Sequence, residues 1–182
     1  MDDRLAKVRL LILDVDGVMT DGRIILDARG EETKQFHVRD GHGLKLLIQA
    51  GIEVVIISGR DSRAVEFRAR QLGIRRVYQG VANKAPVLKE LIERGGFEKD
   101  QVCCVGDDLP DLPLFGEVGI SIAVADAVPE LLEEATLVTE KNGGAGAVRE
   151  VCDWILKAGH KWPDTTKPSK KQRSAIGRQR SV

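Results

Sequence analysis

Cysteine is scarce in this chain of 182 residues: there are three, Cys103, Cys104 and Cys152, and two of them are adjacent. An odd count with two neighbours does not make a disulfide framework, and it points to a reducing compartment. No Cys/His set falls at zinc-ligand spacing. Aromatic residues make up only 4% of the chain, and Phe36, Phe67, Tyr78, Phe97, Phe115, Trp154 and Trp162 form no ladder on which nucleic-acid bases would stack. An excess of either charge is missing too. The 28 Lys and Arg balance 28 Asp and Glu, which disfavours a broadly basic nucleic-acid binder. No apolar run approaches the roughly 18–20 residues of a membrane span. The opening Met1-Asp2-Asp3-Arg4 is acidic and does not read as a secretory signal.

What remains is an ordinary globular composition, 42% hydrophobic and 31% charged, enough for one compact domain. Its charge is unevenly placed. Residues 161–182 carry seven basic side chains and one acidic one, a net +6, which leaves −6 on residues 1–160. Almost no large apolar residue follows Trp162, so the domain is expected over 1–160 and a flexible basic extension over 161–182.

Val8–Val15 is almost continuously apolar and of strand length, the pattern of a strand buried on both faces. Glu53–Ser58, Arg76–Gln79, Val102–Val105 and Ile120–Val124 read as further strands. Helices are expected over Gly41–Ala50, Ser62–Leu72, Ala85–Arg94, Pro129–Ala135 and Val148–Ala158, several of them closed by glycine. Arg23–Leu26 and Thr33–Phe36 flank Asp27-Ala28-Arg29-Gly30 and predict a β-hairpin. Strands alternating with helices predict an α/β fold, a Rossmann-like three-layer sandwich with a mainly parallel sheet and a projecting hairpin. Active sites of such sheets lie beyond the carboxyl ends of the strands.

Four polar signals fall at strand ends or helix starts: Asp14-Val15-Asp16-Gly17, Ser58-Gly59-Arg60, Asn83-Lys84, which opens a helix, and Gly106-Asp107-Asp108-Leu109-Pro110-Asp111. Each is weak alone, since Asp-x-Asp-Gly can be a turn and Gly-Asp-Asp a helix cap. Together they carry a definite chemistry. Asp14, Asp16 and Asp107 offer hard oxygen ligands suited to Mg2+, and crowded carboxylates repel unless a cation sits among them. A carboxylate can attack phosphorus, and a second one two residues on can exchange a proton with the leaving oxygen. Ser58 can hydrogen-bond a phosphoryl oxygen, Lys84 can balance its charge, and backbone N–H groups after Asp14 can cradle the rest.

These residues resemble the haloacid dehalogenase superfamily of phosphohydrolases, whose four motifs match Asp14–Gly17, Ser58, Lys84 and Gly106–Asp111. Longer stretches resemble a capless branch of it that hydrolyses 3-deoxy-D-manno-octulosonate (Kdo) 8-phosphate in lipopolysaccharide biosynthesis. They are Asp14–Gly22, Phe36–Gly43, Ile57–Arg60, Tyr78–Gly80, Asn83-Lys84, Gly106–Asp111, Ala123–Ala127 and Gly146–Cys152. The resemblance implies Asp14 as nucleophile and Asp16 as general acid/base. It also implies Mg2+ held by the Asp14 and Asp107 side chains and the Asp16 carbonyl, with Asp108 and Asp111 in support. It implies a cytoplasmic homotetramer acting on a small sugar-acid phosphate, with hairpins from four subunits meeting at the centre. The 42 residues from Asp16 to Ser58 and the 26 from Ser58 to Lys84 are already filled by predicted elements and leave no room for a cap domain. A neighbouring subunit would then shield the site.

On the substrate side stand Asp16, Ser58, Gly59, Arg60, Lys84 and Arg39. Arg60 suits a carboxylate or phosphate, whereas Asp40 equally suits a helix cap. His37 and His42 stay outside the catalytic set. The branch often carries a charged residue in the glycine-rich stretch that here reads Gly143-Gly144-Ala145-Gly146. Ala145 leaves only the backbone for such a contact. A nine-carbon ulosonic acid 9-phosphate is the alternative substrate. A phospho-accepting receiver domain is the alternative class, and is disfavoured because its acidic pair and acceptor Asp come in another order. A degenerate homologue acting only in assembly is disfavoured by the four intact motifs.

Overall fold

The computed structural model describes residues 2–163, so most of the basic extension, 164–182, lies outside the described residues. Six parallel strands build the main sheet: β1 (Leu10–Leu13), β4 (Glu53–Ile57), β5 (Arg76–Tyr78), β6 (Val102–Gly106), β7 (Ile120–Ala123) and β8 (Leu137–Val138). Their spatial order is β5-β4-β1-β6-β7-β8. A second sheet is the hairpin of β2 (Ile25–Leu26) and β3 (Glu32–Thr33). No cap domain is evident among the described residues.

The strand order explains the layers. From β1 the chain first moves outward through α1 (Val38–Gln49), β4, α2 (Arg63–Leu72) and β5. It then returns by α3 (Ala85–Gly95) to β6 and runs the other way through α4 (Leu112–Phe115), β7, α5 (Pro129–Glu134) and β8. Parallel crossovers share one hand, so reversing direction moves the later helices to the opposite face. Accordingly α1 packs on α2 and on α6 (Ala147–Ala158), whereas α4 contacts α3 and α5. The reversal lies between β1 and β6, the place where such sheets open a crevice at their carboxyl ends.

Burial follows the apolar runs. Leu10, Leu11, Ile12 and Leu13 of β1 have 0% exposure, as do Cys103 and Cys104 of β6, one for each face of the sheet. Strand β1 is shorter than the apolar run because Val8 ends a 3-10 turn over Asp3–Lys7. Helix α1 begins at Val38, three residues before its expected start at Gly41. A Cβ on Gly43 would come within 2.9 Å of Arg149 Cδ and 3.0 Å of Cys152 Cβ, so this glycine inside the helix is an approach point for α6. The hairpin strands are also shorter than expected. They have no core to face: Ile24 and Leu26 are more than half exposed.

Candidate active site

The sheet sets the nucleophile candidate in place through its backbone. Asp14 follows β1 directly, and its N–H donates to Val105 O on β6 at 3.2 Å, at the reversal point. The next residues coil tightly. Met19 N and Thr20 N both donate to Val15 O, at 2.9 and 3.0 Å. The buried Thr20 hydroxyl donates to the same carbonyl at 3.3 Å and accepts from Gly17 N at 3.4 Å. Gly17 is required here: φ is +94°, and a Cβ would lie 2.0 Å from Asp107 Oδ2. Across this loop lies the glycine-rich stretch. Gly144 N donates to Val18 O at 3.0 Å, and a Cβ on Gly143 would sit 1.5 Å from Gly17 O. The two loops therefore meet backbone to backbone.

Lys84, one residue before α3, is 3% exposed. Its ammonium donates to Asp14 Oδ1 at 2.5 Å and Asp111 Oδ1 at 2.7 Å, and both carboxylates are buried. Asp111 Oδ2 accepts from Asp107 N at 3.2 Å, which ties the β6 end to the same cluster. Oxygens of Asp14, Asp107 and Asp111 lie within 4.8 Å of one another. Three carboxylates thus face one ammonium. Burial, with Asp111 nearby, pushes the Asp14 carboxyl up to about 7 despite Lys84. Burial and the Asp14 charge push Asp107 up to about 8. Asp111 is raised by burial against the pull of Lys84. Burial works against the Lys84 ammonium, but Asp14 and Asp111 raise its pKa above the usual lysine value. A site this short of positive charge, built from hard oxygens, fits a divalent cation such as Mg2+.

The other strand ends contribute the rest. Ser58 is 2% exposed, and its hydroxyl accepts from Arg60 N at 3.2 Å. Asp108 is exposed, and its carboxylate accepts from Leu109 N at 2.7 Å, capping the following turn. Asp14, Asp16, Ser58, Gly59, Arg60, Lys84, Asp107, Asp108 and Asp111 all line one cavity of about 210 Å³. Arg39 does not. It lines a separate cavity with His37, Ala145 and Arg149.

Two residues that the sequence reading passed over reach this site from the hairpin. Lys34, just after β3, pairs with Asp16 Oδ1 and lies 3.2 Å from Glu32 Oε1. Glu32 Oε2 accepts from the Arg60 guanidinium at 2.7 Å. No local signal set them apart, since Glu32 and Lys34 straddle the end of a short, largely exposed hairpin strand whose charged residues otherwise read as solvated.

A family profile for haloacid dehalogenase-like hydrolases matches residues 71–151, which contain Lys84, Asp107 and Asp111. A 3-deoxy-D-manno-octulosonate 8-phosphate phosphatase of Yersinia pestis is 50% identical over 163 residues, spanning 90% of this chain and 87% of that protein. The crystal structure of a Yersinia pestis protein of that description superposes with a TM-score of 0.86 at 51% identity, covering 88% of each chain. The Moraxella catarrhalis phosphatase, crystallised with a magnesium ion, a phosphate ion and Kdo, superposes with a TM-score of 0.85 at 42% identity. That match covers 87% of this chain and 91% of the other.

Proposed function

The chain belongs to the 3-deoxy-D-manno-octulosonate 8-phosphate phosphatase family of the haloacid dehalogenase-like hydrolases, and on that premise we propose that it hydrolyses Kdo 8-phosphate to Kdo and phosphate in lipopolysaccharide biosynthesis. The observation that carries this reading is the buried Asp14–Lys84–Asp111 cluster at the strand reversal, with Asp16 two residues beyond Asp14. In the proposed reaction an Asp14 carboxylate oxygen forms a bond to phosphorus as the bond from phosphorus to the sugar C8 oxygen breaks. Asp16 donates its proton to that departing oxygen. Asp16 then takes a proton from the water that attacks the aspartyl-phosphate, and phosphate leaves. Ser58 and the N–H groups beyond Asp14 hold phosphoryl oxygens, with Lys84 balancing their charge.

Asp14 and Asp107, with the Asp16 carbonyl, would hold Mg2+, and Asp108 and Asp111 support them. When bound, the cation supplies positive charge that keeps the aspartates ionised and draws charge from the phosphoryl group. Gly59 and Arg60 flank the sugar side, where the guanidinium suits the sugar-acid carboxylate.

The cavity volume favours a shared site. At about 210 Å³ it is below the roughly 300–1,000 Å³ of ordinary ligand pockets, so it suits the phosphoryl group better than a whole sugar acid. A homotetramer, in which the exposed Ile24, Ile25 and Leu26 of each hairpin meet a neighbour, would close the site and give Arg39 a role there. No helix among the described residues is long and apolar enough to cross a membrane, which accords with a cytoplasmic enzyme. The phosphatase domain then spans residues 1–160, with 161–182 as a basic extension. The test is phosphate release from Kdo 8-phosphate beside nine-carbon ulosonic acid 9-phosphates. Preferred, Mg2+-dependent turnover of Kdo 8-phosphate is expected, and preference for a nine-carbon acid contradicts the substrate assignment.

A further inference from the structure

The hairpin projects from the domain with its apolar side chains outside, yet it sends one ammonium inward. The Lys34 side chain is 1% exposed. A buried ammonium costs several kcal/mol unless it is closely paired, and Lys34 is paired twice, with Asp16 Oδ1 and with Glu32 Oε1 at 3.2 Å. Glu32 continues the chain of contacts: its Oε2 accepts from Arg60 at 2.7 Å, and Arg60 Nε lies 3.9 Å from Asp16 Oδ2. Burial works against the Glu32 charge, but the hydrogen bond from Arg60, with Ser62 and the Lys34 ammonium close by, holds its carboxyl below the usual glutamate value. The four groups close a ring in which the charges alternate: Asp16, Lys34, Glu32, Arg60.

We propose that Lys34 is the positioning residue of Asp16 and Glu32 that of Arg60, so that the hairpin, besides projecting outward, sets the geometry of leaving-group protonation and of sugar-acid recognition. This inference rests on the function proposed above. Lys34 fixes one Asp16 oxygen and leaves Oδ2 for the departing ester oxygen. A proton donor acts only when it is within hydrogen-bond reach of that atom, and tolerances at such sites are about 0.5 Å. Glu32 holds the Arg60 guanidinium by one end and leaves the other for the substrate carboxylate. Neither residue lines the cavity of Asp14 and Lys84; each touches it only through Asp16 or Arg60. Their effects therefore depend on the leaving group and on the carboxylate rather than on phosphorus chemistry in general.

Two substrates separate these roles from simple support of the fold. Kdo 8-phosphate has an alkoxide leaving group that needs a proton, as well as a carboxylate. In p-nitrophenyl phosphate the phenolate leaves without protonation, and there is no carboxylate. Lys34→Met is expected to lower kcat on Kdo 8-phosphate by about 10²-fold, the usual contribution of a placed acid. Its loss on p-nitrophenyl phosphate should be smaller by about tenfold or more. Lys34→Arg should recover part of the lost rate. Equal losses on both esters, or no loss on either, overturn the assignment. Should Lys34→Met fail to fold, Lys34→Arg carries the same comparison, with a partial loss confined to the alkyl ester. Glu32→Gln is expected to raise KM for Kdo 8-phosphate with little change in KM for p-nitrophenyl phosphate; an unchanged KM for the sugar acid refutes its part. The wild-type enzyme separates this inference from the function itself. If it prefers another alkyl phosphate, the comparison is read on that ester, and only the substrate assignment falls.

Discussion

Lys84→Met removes the ammonium that pairs with both Asp14 and Asp111 while keeping the volume of the side chain. In the wild-type protein two charge-assisted hydrogen bonds of 2.5 and 2.7 Å hold these groups, whose exposures are 3%, 8% and 2% for Lys84, Asp14 and Asp111. Breaking a buried ion pair from one side costs about 3–5 kcal/mol, because the partner charge stays buried. Here two carboxylates lose the same partner, so metal-free Lys84→Met should sit at the upper end of that range. For a domain of this size each kcal/mol lowers Tm by about 2–4 °C, which gives a fall of roughly 10–20 °C. Urea unfolding in EDTA, followed by circular dichroism, reads this as a lower midpoint at unchanged m-value. Adding Asp111→Asn should return much of the loss, since it removes one of the stranded charges. Mg2+ should stabilise the variant more than the wild type, because binding to the folded state adds stability by mass action. A loss below about 1 kcal/mol in EDTA, the scale of exposed ion pairs, would refute the buried cluster.

The raised carboxyls make metal-free stability depend on pH. Asp14 and Asp107 bind protons more tightly folded, at about 7 and about 8, than unfolded, where Asp titrates near 3.9. Their stabilisation is therefore complete below about pH 4 and is lost as pH rises through about 8. Urea titrations in EDTA should show this decline and titrations in Mg2+ should flatten it; stability rising with pH in EDTA contradicts it. Asp14→Asn should abolish turnover and keep the fold, as phosphate release and circular dichroism would show. Asp16→Asn should slow aspartyl-phosphate breakdown, seen as phosphorylated enzyme in acid-quenched samples. Gly143→Ala forces a Cβ into Gly17 O, a 1.5 Å approach in the present backbone. It should lower Tm by several degrees and kcat by more than tenfold, on the order of the losses tied to misplaced catalytic groups; a wild-type kcat would show that the glycine-rich loop does not seat the nucleophile loop.

Much of the fold was legible because it is written in local pattern. The run from Val8 to Val15 marked the central strand, and alternation with amphipathic helices marked the sandwich. Asp14, Ser58, Lys84 and Gly106–Asp111 were legible as strand-end chemistry, and the structure brings them to one cavity. What escaped were contacts between distant segments. Nothing local says that Lys34 turns inward while Ile24 and Leu26 stay exposed, because that choice is made by Asp16, 18 residues away. Nor does anything local say that Gly43, inside the expected helix, is a close approach point for α6. The glycine-rich stretch does not show by itself that the Gly17–Thr20 backbone fills the space left by the missing side chains of Gly143 and Gly144. Strand β8 has only two residues, too few to show a period.

The most direct test of the account is the chemical fate of Asp14 during turnover. Enzyme mixed with Kdo 8-phosphate and Mg2+ should be quenched in acid within one turnover, digested, and its peptides weighed. The account predicts one phosphoryl group on the peptide containing Asp14, absent without Mg2+ and absent in Asp14→Asn. Rapid phosphate release with no phosphoryl group on Asp14 at any time, in the wild type or in Asp16→Asn, would contradict it.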